Sequence, residues 1–295
     1  MLKLPLRYPG GKTQLVDYCH KFVRTNKLVG CTIFEPFAGG ASISMNLLDR
    51  GLVSKAVINE KDHLLFHFWR SIFFHTDEFI EKIRETPISV ESWHKLAKFR
   101  KLDYCSDKTS VEIGFACLFL NRTSFSGLLH SNPIGGKEQK SQYKIDCRFK
   151  PEREINSILY LSQFRDRVEV YNEDAIEFMD NHVRGYGHKG RKVFVYIDPP
   201  YYLQGKDLYR HYYKDADHTQ LARYIKQKCY SWLISYDKHE FIERLYKSKK
   251  YQPISIYFDY SAHTSKLKQE ELLISNRELP PVEINLNQIS IEEIS

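Results

Sequence analysis

The run CTIFEPFAGGASISMNLLDRGLVSKAVINE, residues 31–60, constrains the fold more than any other part of the chain. It reads as strand, glycine turn, helix, loop and strand, a βαβ unit whose two strands run parallel in one sheet. The alternation returns from about residue 165, with RVEVYN, EDAIEFMDN, RKVFVYID, DADHTQLARYIKQK and CYSWLISYD. Strands separated by helices in this way predict an α/β fold, a parallel sheet with helices on both faces. Between the two blocks the pattern is helical, in KDHLLFHFWRSIFFHTDEFIEKIRETP and again over 91–104 and 110–121. A polar stretch with Gly and Pro follows at 122–150. The expected organisation is one domain built from 1–60 and 165–279, a mostly helical insertion over 61–164, and a peripheral tail over 280–295.

At 295 residues and 42% hydrophobic content the chain can bury a substantial core. No apolar run approaches the roughly 20 residues that span a bilayer. The start MLKLPLRYPGGK lacks the layout of an export signal, so a cytoplasmic location is expected. Six cysteines without a CxxC pair predict reduced thiols, with neither structural zinc nor a disulfide framework. The net charge of +7 is uneven: residues 121–150 hold six Lys/Arg against two Asp/Glu. Such a block suits a polyanion, although a solvated basic loop has the same composition.

Two glycine turns mark a candidate ligand pocket. In FEPFAGGAS, the strand runs into Pro36, Phe37, Ala38, Gly39, Gly40 and Ala41, and a helix opens near Ser42. Glycine lets a ligand approach the backbone, and helix-terminal amides offer donors. Glu60, twenty residues past Gly40 at the end of the next strand, is placed to accept from ribose hydroxyls. The competing reading is an ordinary turn with a surface acid. RYPGGK could bring Tyr8, Gly10, Gly11 and Lys12 to the same place, or be only an N-terminal turn. Asp174, after VEVYN, could meet a base amino group, cap the following helix, or do both.

VFVYIDPPYY, residues 193–202, is a buried strand stopped by prolines that cannot continue a ladder. At such a strand end, Asp198 supplies a charged acceptor and the Pro199 carbonyl a second. Pro199 and Pro200 pre-set the backbone, and Tyr201 offers a stacking face. Such a turn can clamp the two N–H bonds of an aromatic amine and direct its lone pair outward. The plain alternative is a strand-ending turn with a capping Asp.

DPPY at 198–201, FEPFAGGAS at 34–42 and RYPGGK at 7–12 resemble, in this order, the Dam-like D12 class of DNA adenine-N6 methyltransferases. FLNRTSFSGLLHSN (119–132), DH (217–218), LISYD (233–237) and EELLISN (270–276) extend the resemblance to residue 277. The resemblance implies a Rossmann-like class I methyltransferase sheet, S-adenosylmethionine as donor and an adenine flipped out of double-stranded DNA as acceptor. It further implies no covalent enzyme intermediate and no metal. By position, Tyr8, Gly10, Gly11, Lys12, Phe37 to Ser42, Glu60 and Asp174 would line the cofactor site, with Asp198 close by. Asp198, Pro199, Pro200 and Tyr201 would hold the target amine.

On the DNA side, the resemblance implies contacts from Arg7, Asn121, Arg122, Phe125, Ser126, Leu128 and His130, with Lys137 and its basic neighbours on phosphates. Phe125 would wedge into the duplex, unless it is core, and Asn121 and Arg122 could instead brace the hairpin. His130 stands where the GATC-recognising enzymes carry arginine, and a neutral histidine cannot read guanine bidentately. A recognition site other than GATC is therefore expected. A cognate restriction endonuclease is a conceivable companion. Cytosine-N4 or RNA amino methylation, or a catalytically silent DNA-binding module, are the competing functions.

Overall fold

A computed structural model describes residues 2–7, 12, 15–184, 192–203, 205–248, 253–262 and 265–282. Tyr8, Gly10, Gly11 and most of the expected tail lie outside these residues. Seven strands form one sheet: β1 (Cys31–Glu35), β2 (Val53–Asn59), β3 (Val168–Tyr171), β4 (Val193–Ile197), β5 (Ser231–Asp237), β6 (Ile254–Ala262) and β7 (Ser265–Ser275). Their spatial order is β3-β2-β1-β4-β5-β7-β6. The first five pair in parallel, whereas β7 lies antiparallel to both β5 and β6. The parallel strands are those expected from the alternation, and the whole is the class I methyltransferase arrangement that the resemblance implied. The closing hairpin of β6 and β7 had no counterpart in the strand reading.

β1 and β4 are buried along their whole length, as strands covered on both faces should be. Their helical covers begin with α1 (Val16–Thr25) and α2 (Ser42–Asp49), which pack on each other. The interval between β2 and β3 contains α3 (His63–Phe74), α4 (Thr76–Glu85), α5 (Val90–Ala97), α6 (Ser110–Thr123) and α7 (Pro151–Ser162). Asp62 caps α3 by accepting from the Leu64 amide, and Thr109 with Glu112 forms a capping box on α6. α3 packs on β3 as well as on α6, and the apolar cluster of the interval is continuous with that of β1 and β2. A short helix, α8 (Ala175–Phe178), follows β3; beyond β4 come α9 (Gly205–Leu208), α10 (Asp215–Lys226) and α11 (Glu240–Tyr246). No helix among the described residues is long and apolar enough to cross a membrane.

The chain leaves β1 toward β2 on one side and β4 toward β5 on the other, so the strand order reverses between β1 and β4. Side chains and loops at the carboxyl ends of these two strands flank a crevice there, the usual ligand position in open α/β sheets.

Candidate active site

A cavity of about 690 Å³ opens at this reversal. One wall is the turn after β1, where Phe37 through Ser42 all reach the cavity. Gly39 adopts φ of +47°, a left-handed conformation that favours glycine. Its amide donates to Glu60 Oε2 at 2.8 Å, and its carbonyl accepts from Trp69 Nε1 of α3 at 2.9 Å. Glu60 therefore braces the turn as well as facing the cavity, and its second oxygen accepts from the Asp62 amide at 3.0 Å. Desolvation on the cavity wall outweighs these donors and pushes its carboxyl up to about 7.

The opposite wall is the end of β4. The ladder to β5 ends at Ile197 and Ile234, and Asp198 follows directly. Ser235, one residue further along β5, donates to Asp198 Oδ1 at 2.9 Å. Lys12 Nζ lies 3.2 Å from the same oxygen. That ammonium is buried, and it also meets Glu271 Oε1 at 2.8 Å and the Tyr201 hydroxyl at 2.9 Å. Burial works against its charge, but the Asp198 and Glu271 carboxylates prevail and raise its pKa. For Asp198 the balance is different. Burial raises its carboxyl, Lys12 and Ser235 lower it, Glu271 raises it, and the result is about 6. A group so poised remains charged at neutral pH and within reach of a proton.

Glu271 reaches this network because β7 pairs with β5 in antiparallel register, Asp237 opposite Glu271. Asp237 holds the turn itself: its two oxygens accept from the Tyr202 amide at 2.8 Å and the Leu203 amide at 2.9 Å. Ser235, Asp237 and Glu271 thus support the turn that follows β4, and none was assigned a role from sequence. The blocks LISYD and EELLISN carried the signal without the contacts.

Glu35, at the end of β1, is a further unassigned acid. It lines the cavity, accepts from the Ser44 amide at 3.2 Å and bonds the Ser44 hydroxyl. Burial pushes its carboxyl up to about 8 despite these donors, with Asp198 and Glu60 adding repulsion. A carboxyl raised in the folded state stabilises the fold at low pH and loses that contribution as pH climbs through the raised value. Glu35→Gln should therefore raise the thermal midpoint at pH 7–8, by about 1–3 kcal/mol in stability, and leave it nearly unchanged near pH 4. A gap that widens toward acid in a pH-dependent melting series contradicts this assignment.

Several expected positions are placed differently. Tyr201 is only 4% exposed and does not face the cavity. Its hydroxyl donates to Glu271 Oε1 at 3.1 Å, Lys12 lies 4.4 Å over its ring, and Tyr209 meets it edge-on at 6.2 Å. Tyr209 lines the cavity together with Phe37 and Tyr213, and the stacking face expected of Tyr201 is covered. Asp174 caps α8 by accepting from the Ile176 amide at 3.0 Å, and its other oxygen pairs with Lys61 at 2.9 Å. The cap thus uses one oxygen and the Lys61 pair the other, and Asp174 is not among the residues that line the cavity. Pro200 reaches the cavity wall, whereas Pro199 is buried.

The hairpin after α6 also differs from expectation. Asn121 faces inward: it accepts from the Arg7 amide at 2.8 Å and donates to the carbonyls of Arg7 and Gly127 at 2.7 and 2.8 Å. Gly127, with φ of +75°, permits this close approach, since a Cβ there would sit 2.9 Å from the Arg7 carbonyl oxygen. Arg122 is buried against Glu154 at 2.8 Å. Both residues therefore brace the interior, and the expected DNA contacts from them are corrected, because a buried ion pair is costly to open. Phe125 projects into solvent at 66% exposure, Ser126 and Leu128 line the cavity mouth, and His130 and Lys137 are exposed. Phe125 is thus not core.

A family model described as D12 class N6 adenine-specific DNA methyltransferase matches residues 8–258. The chain is 23% identical over 240 residues to the type II methyltransferase M.MjaIII of Methanocaldococcus jannaschii, covering 75% of this chain and 78% of that protein. It is 22% identical over 284 residues to the type II methyltransferase M.CviBI of Paramecium bursaria Chlorella virus NC1A, covering 91% and 96%.

Proposed function

Given that the chain belongs to the D12 class of N6 adenine-specific DNA methyltransferases, we propose that it modifies a defined site in duplex DNA by presenting a flipped adenine to Asp198. The family's cofactor is S-adenosylmethionine, and this chain's cavity suits it. The volume falls in the range of small-molecule sites, and the left-handed glycine turn faces an acid at the end of β2. The Phe37–Ser42 turn and Glu60 would hold the nucleoside. When bound, the cofactor supplies an electrophilic methyl group.

The observation that carries the reading is the placement of Asp198 at the end of β4, on the cavity wall and fixed by Ser235 and Lys12. Its carboxylate accepts an N–H of the adenine amine and favours lone-pair density on N6. With its pKa near 6, it can also take the proton that the methylated amine releases. Tyr209, in front of Tyr201, presents aromatic surface to the base. The direct experiment is incubation with DNA and tritiated S-adenosylmethionine, followed by digestion to nucleosides. Label in N6-methyladenine is expected; label in N4-methylcytosine, or in RNA alone, would refute the proposal.

Extracting a paired base costs a few kcal/mol of stacking and pairing. Phe125, solvent-exposed next to the cavity-lining Ser126, is placed to fill the gap left behind. Phe125→Ala is expected to lower methylation of duplex DNA by about 10-fold or more, and to do much less when the target adenine is mispaired and already loosened. Equal losses on the two substrates would remove the wedge role. The naming of both relatives as type II methyltransferases supports a cognate restriction endonuclease as companion. The histidine at 130 favours a recognition sequence other than GATC.

A further inference from the structure

The acids Glu35, Glu60, Asp62 and Asp198 line the cavity at the strand ends and the start of α3, and the cations on that side, Lys12, Lys61 and Arg210, are each paired with a carboxylate. The wall made by the N-terminal segment, the hairpin and α7 carries Lys3, Arg7 and Arg153, with no acid on it. All three cations are exposed, and among the described residues none is paired with a carboxylate. Arg148, also exposed, precedes α7 in the same loop. Asn121 bonds both the amide and the carbonyl of Arg7, which fixes the backbone from which its side chain extends. Partial burial, with the Arg148 charge as a smaller cause, lowers the Arg7 pKa. Arg153 in turn bears on the buried Arg122–Glu154 pair, so the arginines form one field.

From this geometry we propose that Arg7, Arg148 and Arg153 form a seat for the DNA phosphates flanking the flipped nucleotide. Arg7 then grips the DNA backbone and not a base edge. The seat rests on the adenine-methyltransferase reading for the identity of its ligand. Its position suits that ligand: a phosphodiester at the cavity mouth would place its nucleotide toward Asp198, and the phosphates would supply the negative charge that no carboxylate gives these arginines.

The test separates backbone from base contacts, and its binding arm does not depend on catalysis. Binding of a fluorescent mixed-sequence duplex is measured by anisotropy across a salt series for the wild type and for Arg7→Ala, Arg148→Ala and Arg153→Ala. Each lost phosphate contact should reduce the slope of log Kd against log salt by roughly 1. Circular dichroism melting checks that each variant folds, and Arg7→Lys should recover most of the slope. In parallel, long-read sequencing of DNA from cells expressing each variant reports the methylated motif. The expected pattern is an unchanged motif methylated less completely. Unchanged salt slopes overturn the seat. A broadened motif in Arg7→Ala overturns the backbone assignment of that residue and makes it a base reader. Altered slopes in a protein that yields no N6-methyladenine would leave the seat standing and remove the catalytic reading instead.

Discussion

Asp198→Asn is expected to lower the methylation rate by on the order of 10²–10³ at neutral pH, the range for loss of one preorganised electrostatic partner. The substitution keeps the volume and one oxygen acceptor, so the loss isolates the negative charge. It also makes a prediction about pH. In the wild type, Asp198 is raised to about 6, and the neutral acid cannot accept from the adenine amine in the same way. The rate should therefore climb with pH through about 6 and level above it, and this limb should be missing from the residual activity of Asp198→Asn. Single-turnover rates with radiolabelled S-adenosylmethionine across pH would show both. A variant that keeps most of its rate, or retains the same acid limb, would mean that another group carries the charge.

The second large effect belongs to the buried ion cluster beneath the turn. Lys12 is the cation that Asp198 and Glu271 share. Lys12→Met leaves two carboxylates facing each other in the interior, and removing one partner of a buried pair costs about 3–5 kcal/mol. The melting midpoint should fall accordingly. Because Lys12 lowers the Asp198 pKa and Glu271 raises it, the two partners predict opposite pH effects. Lys12→Met should move the acid limb of the rate to higher pH. Glu271→Gln, which leaves the lysine in place and removes a negative neighbour, should move it to lower pH. Movement of both limbs in the same direction would show that the cluster acts through packing and not through charge. Rates are divided by the folded fraction measured at each pH, so that a pH-dependent loss of folded enzyme is not read as movement of the limb.

The parallel sheet was legible because each strand–helix step is written in neighbouring residues. VFVYI is buried on both faces, and the two prolines after it end the ladder whatever lies elsewhere. FAGGAS likewise announced its turn, and Gly39 takes the left-handed conformation that such a turn uses. The hairpin of β6 and β7 escaped because its role depends on register against β5, a relation between distant segments. Phe119 and Phe125 make the same point at close range. Six positions apart, one is fully buried in α6 and the other is 66% exposed, and residue type does not distinguish them. Asn121 and Arg122 carry polar chemistry that suits DNA, yet the closure of Gly127 onto Arg7 and the proximity of Glu154 turned both inward.

Periodicity and proline chemistry act between adjacent residues, and they were enough to set the parallel architecture, the glycine turn and the carboxylate at a strand end. The charge state of that carboxylate was decided only by the assembled fold. Lys12 meets Tyr201 across 189 residues of sequence and Glu271 across 259, and with Asp198 these two surround its buried ammonium. Electrostatic interaction depends on distance in space and on exclusion of water, and both come into being when the sheet closes over the N-terminal segment.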